Sequence, residues 1–202
     1  MTARASMTDA DATVMKMGDG GFRPAYNPQL ASDADSLVIV GVEVATVGSD
    51  QGQMVPMIEQ VTERCGQAPE AWLVDGGFVG HAQIEQAAEH TVVYGPVPAP
   101  KDKAVDAHQA KAGDSAAVAA WRQRMGTDEA KTIYKRRAAT AECVNAQARN
   151  RGLQQFRVRG LGKVKCVMLM FALAHNLMRM VSLTPELLGI GTGASAIPGI
   201  GA

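Results

Sequence analysis

Over the first hundred residues the apolar positions fall into a strand–helix–strand–helix–strand order. "FRPAYNPQLA" (22–31) and "SLVIVGVEVATV" (36–47) read as two strands joined by the turn-forming "SDAD". Pro28 lacks a backbone donor, which predicts that its strand lies at an edge or is broken there. In "QMVPMIEQVTERC" (53–65), Met54, Met57, Ile58 and Val61 recur at helical spacing, and Gly66 follows as a stop. These methionines read as core. "AWLV" (71–74) is a short strand ending at Asp75, and "HAQIEQAAEH" (81–90) is a helix with Ile84, Ala87 and Ala88 on one face. "TVVYGPVPAP" (91–100) is a strand running into a proline-rich loop. This alternation favours an α/β domain with a partly parallel sheet.

The second half reads differently. Residues 101–114 are a polar linker, and from Ser115 to about Arg151 the pattern is helical, with Gly126 as the point of a break. "LQQFRVRG" (153–160) reads as extended, and a helix follows over 163–181. Its centre, "CVMLMFALA" (166–174), is too short an apolar run to span a bilayer and predicts a buried helix rather than a membrane segment. Residues 1–20 read as a loose polar arm, 21–181 as the folded domain, and 182–202 as a flexible Gly/Ala-rich tail.

Composition narrows the picture. A chain of 202 residues can bury a core without disulfide staples, and its three cysteines, Cys65, Cys143 and Cys166, are far apart in sequence. No zinc-like spacing connects them, so reduced thiols in a cytoplasmic protein are expected. The first twenty residues contain no apolar stretch of the secretory type. Formal net charge is zero, yet residues 1–100 hold 4 Lys/Arg against 13 Asp/Glu, while residues 131–165 hold 10 Lys/Arg against the single acid Glu142. Such a run is often only a solvated face. It is also the footprint of a polyanionic partner.

Two acids carry the candidate chemistry. Asp75 sits at a strand end, before Gly76 and Gly77, where it reads either as a turn residue bonding its own backbone or as a metal-binding carboxylate over a cleft. Glu142 lies in "YKRRAATAECVNAQARNRG", where every other charged side chain is positive. It reads either as a surface acid paired with Arg137 or Arg149, or as a carboxylate presented to a cleft. His81, His90, His108 and His175 are scattered and read as packing or surface residues.

In its ordered blocks the chain resembles a bacterial insertion-sequence transposase of the DDE type. The blocks are "MTDADATVMKMGDGGFRPAYN" (7–27), "LVDGGF" (73–78), "YKRRAATAE" (134–142), and "RGLQQFRVRGLGKVK" (151–165) followed by "ALAHNLMR" (172–179). The resemblance implies an α/β, ribonuclease-H-like mixed sheet flanked by helices. It also implies a two-metal site, in which three carboxylates hold Mg²⁺ or Mn²⁺ for in-line attack on DNA phosphodiesters. Asp75 matches the family's second Asp and Glu142 its final Glu, so both are expected as catalytic metal ligands. Tyr134, Arg136, Arg137, Arg149, Arg151, Arg157, Arg159, Lys163 and Lys165 stand as DNA-binding candidates. Tyr134 is eight residues before Glu142, one more than in the strict tyrosine–arginine–glutamate signature of related insertion sequences.

The departure from the family is at the N-terminal side, where the family's first Asp lies on a strand upstream of the block matching "DGGFRPAYN". Asp9, Asp11, Asp19, Asp33, Asp35 and Asp50 do not lie in apolar strands. None is taken as the absent ligand. The expectation is the C-terminal part of a transposase whose first sheet strand and DNA-recognition region are absent, inactive or weakly active alone, and binding double-stranded DNA at transposon ends. A homodimer is a further implication of the family, and no membrane association is expected. Two other readings stay open: a non-enzymatic DNA-binding module, and an unrelated metal-dependent phosphohydrolase.

Overall fold

A computed structural model of the chain describes residues 6–188, the side chains of Glu142, Leu187 and Leu188 excepted. Among the described residues, six strands and six α-helices make a mixed α/β arrangement: four strands, then helix–strand–helix–strand, then four helices. Strands β1 (Thr13–Lys16) and β2 (Phe22–Ala25) form an antiparallel hairpin, and β3 (Asn27–Ser32) and β4 (Ile39–Ala45) form a second. Helix α1 (Met54–Cys65) leads to β5 (Ala71–Leu73), helix α2 (His81–Ala87) and β6 (Val92–Tyr94). β5 and β6 pair in parallel, as the strand–helix–strand order predicts. The sheet is nonetheless divided into three two-stranded pieces.

Periodicity accounts for α1. Met54, Met57, Ile58 and Val61 are all buried on one face, and Gly66 ends the helix at φ +74°. Pro28 lies in β3, which pairs only with β4 and is therefore an edge strand, as its missing donor requires. The helical second half breaks where expected. α3 (Ala116–Gly126) is capped by the Ser115 hydroxyl, and α4 (Asp128–Arg137) by the Thr127 hydroxyl, which accepts from the Ala130 amide at 3.2 Å. α4 runs without a turn into a π-helical segment, Ala138–Glu142, and then α5 (Cys143–Asn150).

Three expectations are corrected. Within residues 1–20, expected to be a loose arm, Thr13–Lys16 forms β1, and Asp9 and Asp11 grip the start of helix α6 (Leu161–Leu183). Their carboxylates accept from the Gly160 amide at 3.1 Å and the Leu161 amide at 2.9 Å, where a helix N-terminus has donors without partners. "LQQFRVRG" is a run of turns rather than a strand, bounded by Gly152 and Gly160 at φ +86° and +89°. Helix α6 is buried on one side only: Val164, Met168, Phe171, Ala172 and His175 pack inward, while Met170, Leu173 and Leu177 remain exposed. Of the expected tail, 189–202 lie outside the described residues.

Two large cores hold these pieces, and a smaller cluster of Ala31, Met57 and Val61 joins β3 to α1. Met54, Ile58, Val74, Ile84, Val93, Val118 and Trp121 close α1, α2 and α3 around β5 and β6. Ile39, Val42, Val44, Val144, Val164, Met168 and Phe171 close α5 and α6 against β4. The polar residues of "ALAHNLMR" anchor α6 to the chain entering β4. His175 Nε2 lies 2.7 Å from the Leu37 carbonyl, and Asn176 bonds both the amide and the carbonyl of Ile39 at 2.8 Å. Arg179 donates to the Ser36 carbonyl at 2.7 Å.

Candidate active site

Between β3 and β5 lies a groove of about 660 Å³. Consecutive residues of both strands line it, Asn27 through Ser32 on one side and Ala71 through Leu73 on the other. Side chains alternate between the two faces of a sheet, so only a strand edge exposes successive residues to one space. The groove is thus bounded by the β3 edge away from β4 and the β5 edge away from β6. Met54, Met57 and Val61 of α1 line it too, as do Arg136, Arg137, Thr140, Ala141 and Asn145 of the α4–α5 segment.

Asp75 stands on this groove, just past the end of β5. Its Oδ1 accepts from the Gly77 amide at 2.9 Å, so the turn reading is realised. That bond occupies one oxygen only; among the described residues Oδ2 has no hydrogen-bond partner. A methyl group at Gly77 would lie 3.1 Å from both Asp75 Oδ1 and Asp50 Oδ2. The glycine therefore lets two carboxylates flank one point at the groove.

Asp50 is a site-lining residue the sequence did not single out. Its Oδ1 accepts from Asn27 Nδ2 at 2.9 Å and from Gln29 Nε2 at 2.7 Å, and Gln29 is itself buried. No periodicity or spacing marks this network, because it joins the start of β3 to the loop before α1. The other acids have local roles. Asp19 pairs with Arg23, Asp33 accepts from the Ser36 hydroxyl and amide, and Asp35 pairs with Arg136.

Glu142 closes the π-helical segment, one residue after groove-lining Ala141. A π turn closes its hydrogen bond one residue later than an α turn, and such single turns recur at functional sites. This turn therefore takes up one residue between Tyr134 and Glu142.

The basic candidates divide by surroundings. Arg137 lines the groove and lies 5.9 Å from the Tyr134 ring centroid. Arg136 is committed in part to Asp35, and Lys165 is paired with Glu43 at 2.8 Å. Burial pushes the Glu43 carboxyl up, but the Lys165 ammonium and the Val44 amide more than offset it, so its pKa falls below the usual value. Arg151 extends over Phe171. Arg149, Arg157, Arg159 and Lys163 are exposed. Of the histidines, His175 is a buried anchor, and His81 Nε2 is hydrogen-bonded at 3.1 Å to Arg122, itself buried against Asp114.

Comparison with protein families adds one finding. Residues 100–181 match a family described as a transposase DDE domain. The match supports a DDE-type transposase and covers only part of the chain, including α3 to α6 but not Asp75. No curated protein and no solved structure matches the chain.

Proposed function

We propose that the groove beside Asp75 is the active-site side of a ribonuclease-H-like transposase domain, and that in this chain it is incomplete. The observation that carries the reading is the pair of unpaired strand edges facing one groove. A sheet with a strand absent between β3 and β5 leaves such a space. Asp75 at its rim and Glu142 on the flanking helix are the carboxylates that the parent chemistry assigns to metal, and the parent function is DNA transposition by phosphodiester cleavage and strand transfer.

The donor chemistry fits a hard cation in part. Asp75 and Asp50 offer carboxylate oxygens, which suit Mg²⁺ or Mn²⁺. Among the described residues, which do not include the Glu142 side chain, no group of three or more His, Cys, Asp or Glu is gathered for a metal. The parent chemistry would draw on three carboxylates, and the resemblance matches only Asp75 and Glu142 in this chain, so we infer that the chain alone is catalytically inactive or nearly so. Its retained property is affinity for double-stranded DNA, supported by Arg137, Arg149, Arg151, Arg157, Arg159 and Lys163, with Tyr134, Arg136 and Lys165 as partly engaged neighbours. The expected setting is the cytoplasm.

A second reading, a DNA-binding module without chemistry, is supported by the 10 Lys/Arg of residues 131–165. Supercoiled plasmid incubated with the chain and Mn²⁺ tests the incompleteness. No nicking above a protein-free control is expected. Metal-dependent nicking that disappears in Asp75→Ala would show a complete site and overturn it.

A further inference from the structure

Helix α6 is apolar on two opposite sides, and only one has a partner. Val164, Met168, Phe171, Ala172 and His175 face the core. On the far side, Cys166, Met170, Leu173, Leu177 and Met180 stay exposed, Met170 at 60% and Leu173 at 53%, flanked by Leu169, Val181 and Leu183. These flanked apolar side chains expose roughly 600 Å² together, at the upper limit of a monomer's largest apolar patch and approaching the ~800 Å² per partner of a standard interface.

The stripe's spacing identifies the kind of partner. Cys166, Met170, Leu173, Leu177, Met180 and Thr184 follow one another at intervals of four, three, four, three and four residues. That 3.5-residue repeat is the seam of helix-on-helix packing. About a point midway between Leu173 and Leu177 its four inner positions read the same from both ends, Leu facing Leu and Met facing Met, and Cys166 faces Thr184. An isologous twofold contact needs this self-complementarity. The stripe carries no charge. Exposed Lys163 lies beyond one end and exposed Glu186 beyond the other, so an antiparallel pair sets opposite charges across each end.

Helix α6 has 23 residues with a mean hydropathy of 1.6, enough by length and composition to cross a bilayer. Its inner side argues against insertion, because His175, Asn176, Arg179 and Lys165 are bonded to Leu37, Ile39, Ser36 and Glu43. Insertion would break all of these bonds.

We propose that the outer face of α6 is a homodimer interface, in which two copies pack antiparallel about a twofold axis between Leu173 and Leu177. Leu173 packs on the partner's Leu177, and Met170 on the partner's Met180. This inference does not depend on the reading of the groove, and its test involves neither DNA nor metal.

Light scattering on the eluting full chain should give about twice 21.3 kDa, and Leu173→Glu/Leu177→Glu should halve it with the circular dichroism unchanged. The cysteines fix the direction. In a Cys65→Ser/Cys143→Ser background, Cys166 of the two copies would sit about 27 Å apart along antiparallel helices and not cross-link on mild oxidation. Adding Thr184→Cys should produce a disulfide dimer. A monomer at 100 μM, or a dimer that the double glutamate variant leaves intact, would overturn the interface. Oxidative cross-linking through Cys166 alone would overturn the antiparallel arrangement. Flotation of a monomeric chain with phospholipid vesicles, lost in the glutamate variant, would show that the face serves a membrane instead.

Discussion

Replacing Asn176 by Ala probes the joint between α6 and the sheet. The Asn176 side chain accepts from the Ile39 amide and donates to the Ile39 carbonyl, each at 2.8 Å, and Ile39 is only 5% exposed. Alanine removes both partners at once and leaves two backbone groups unsatisfied in a buried place. Each such group costs about 1–3 kcal/mol, and partial hydration through the gap relieves some of it, so a loss of about 2–4 kcal/mol is expected. In a chain of this size that corresponds to a Tm lowered by roughly 4–16 °C. Urea unfolding followed by far-ultraviolet circular dichroism measures the change directly, with the midpoint falling and the slope unchanged. Asn176→Asp should recover only part of the loss, because it keeps an acceptor for the amide and removes the donor to the carbonyl. A change below about 0.5 kcal/mol in Asn176→Ala, the range of ordinary surface substitutions, would refute the anchoring role.

Three further outcomes follow from the packing. Gly41→Ala should destabilise by about 1–3 kcal/mol in the same urea assay, because the new methyl would collide with Met57 Sδ and sit 3.0 Å from the Ala31 methyl. Deleting Ala139 should close the π turn into an α-helix and keep α5 in register, leaving Tm within a few degrees. Deleting Lys131 instead should rotate the downstream helix by about 100° and unseat Val144 and Ala148 from their core. The Tyr26–Asp9 contact makes stability pH-dependent at both ends. Burial and Asp9 push the Tyr26 phenol up to about 12, so its contribution is whole below pH 10 and lost between about 10 and 12. The Gly160 amide, with Tyr26 itself, holds Asp9 below the ordinary aspartate range, so that contribution is present above that range and lost as pH falls below it through the lowered folded-state pKa. Melts across pH should show both losses in the native chain, and in Asp9→Asn/Tyr26→Phe a smaller alkaline loss and a smaller acid loss, the remainder of the latter coming from carboxylates such as Asp33, Glu43 and Asp114.

What was legible in the sequence was what depends on short-range repetition. The α1 face, the stop at Gly66, the break at Gly126 and the parallel β5–β6 pair all follow from local spacing and turn chemistry. The "LQQFRVRG" stretch alternates like a strand but has no neighbour to pair with, and its bounding glycines at positive φ turn it instead. Asp9 and Asp11 read as members of a loose arm because their partners, the Gly160 and Leu161 amides, lie some 150 residues away. Asp50 was passed over for a similar reason: its importance lies in meeting Asn27, Gln29 and Asp75, and no pattern within its own segment records that. In α6, composition predicted burial, yet an apolar residue reports only that water is unfavourable there, not which molecule will cover it. The resemblance rests on ordered short blocks over residues 7–181, and the transposase DDE domain match supports it over residues 100–181.

The central claim is that the α4–α5 segment beside the Asp75 groove is a DNA-phosphate surface. Its most direct test is fluorescence anisotropy of a labelled duplex across a series of salt concentrations, comparing the native chain with Arg137→Ala and Arg149→Ala. The account predicts affinity that falls linearly in log–log form with salt, and a slope smaller by about one in each variant. Affinity and slope unchanged in both variants, or no binding at low salt, would contradict it.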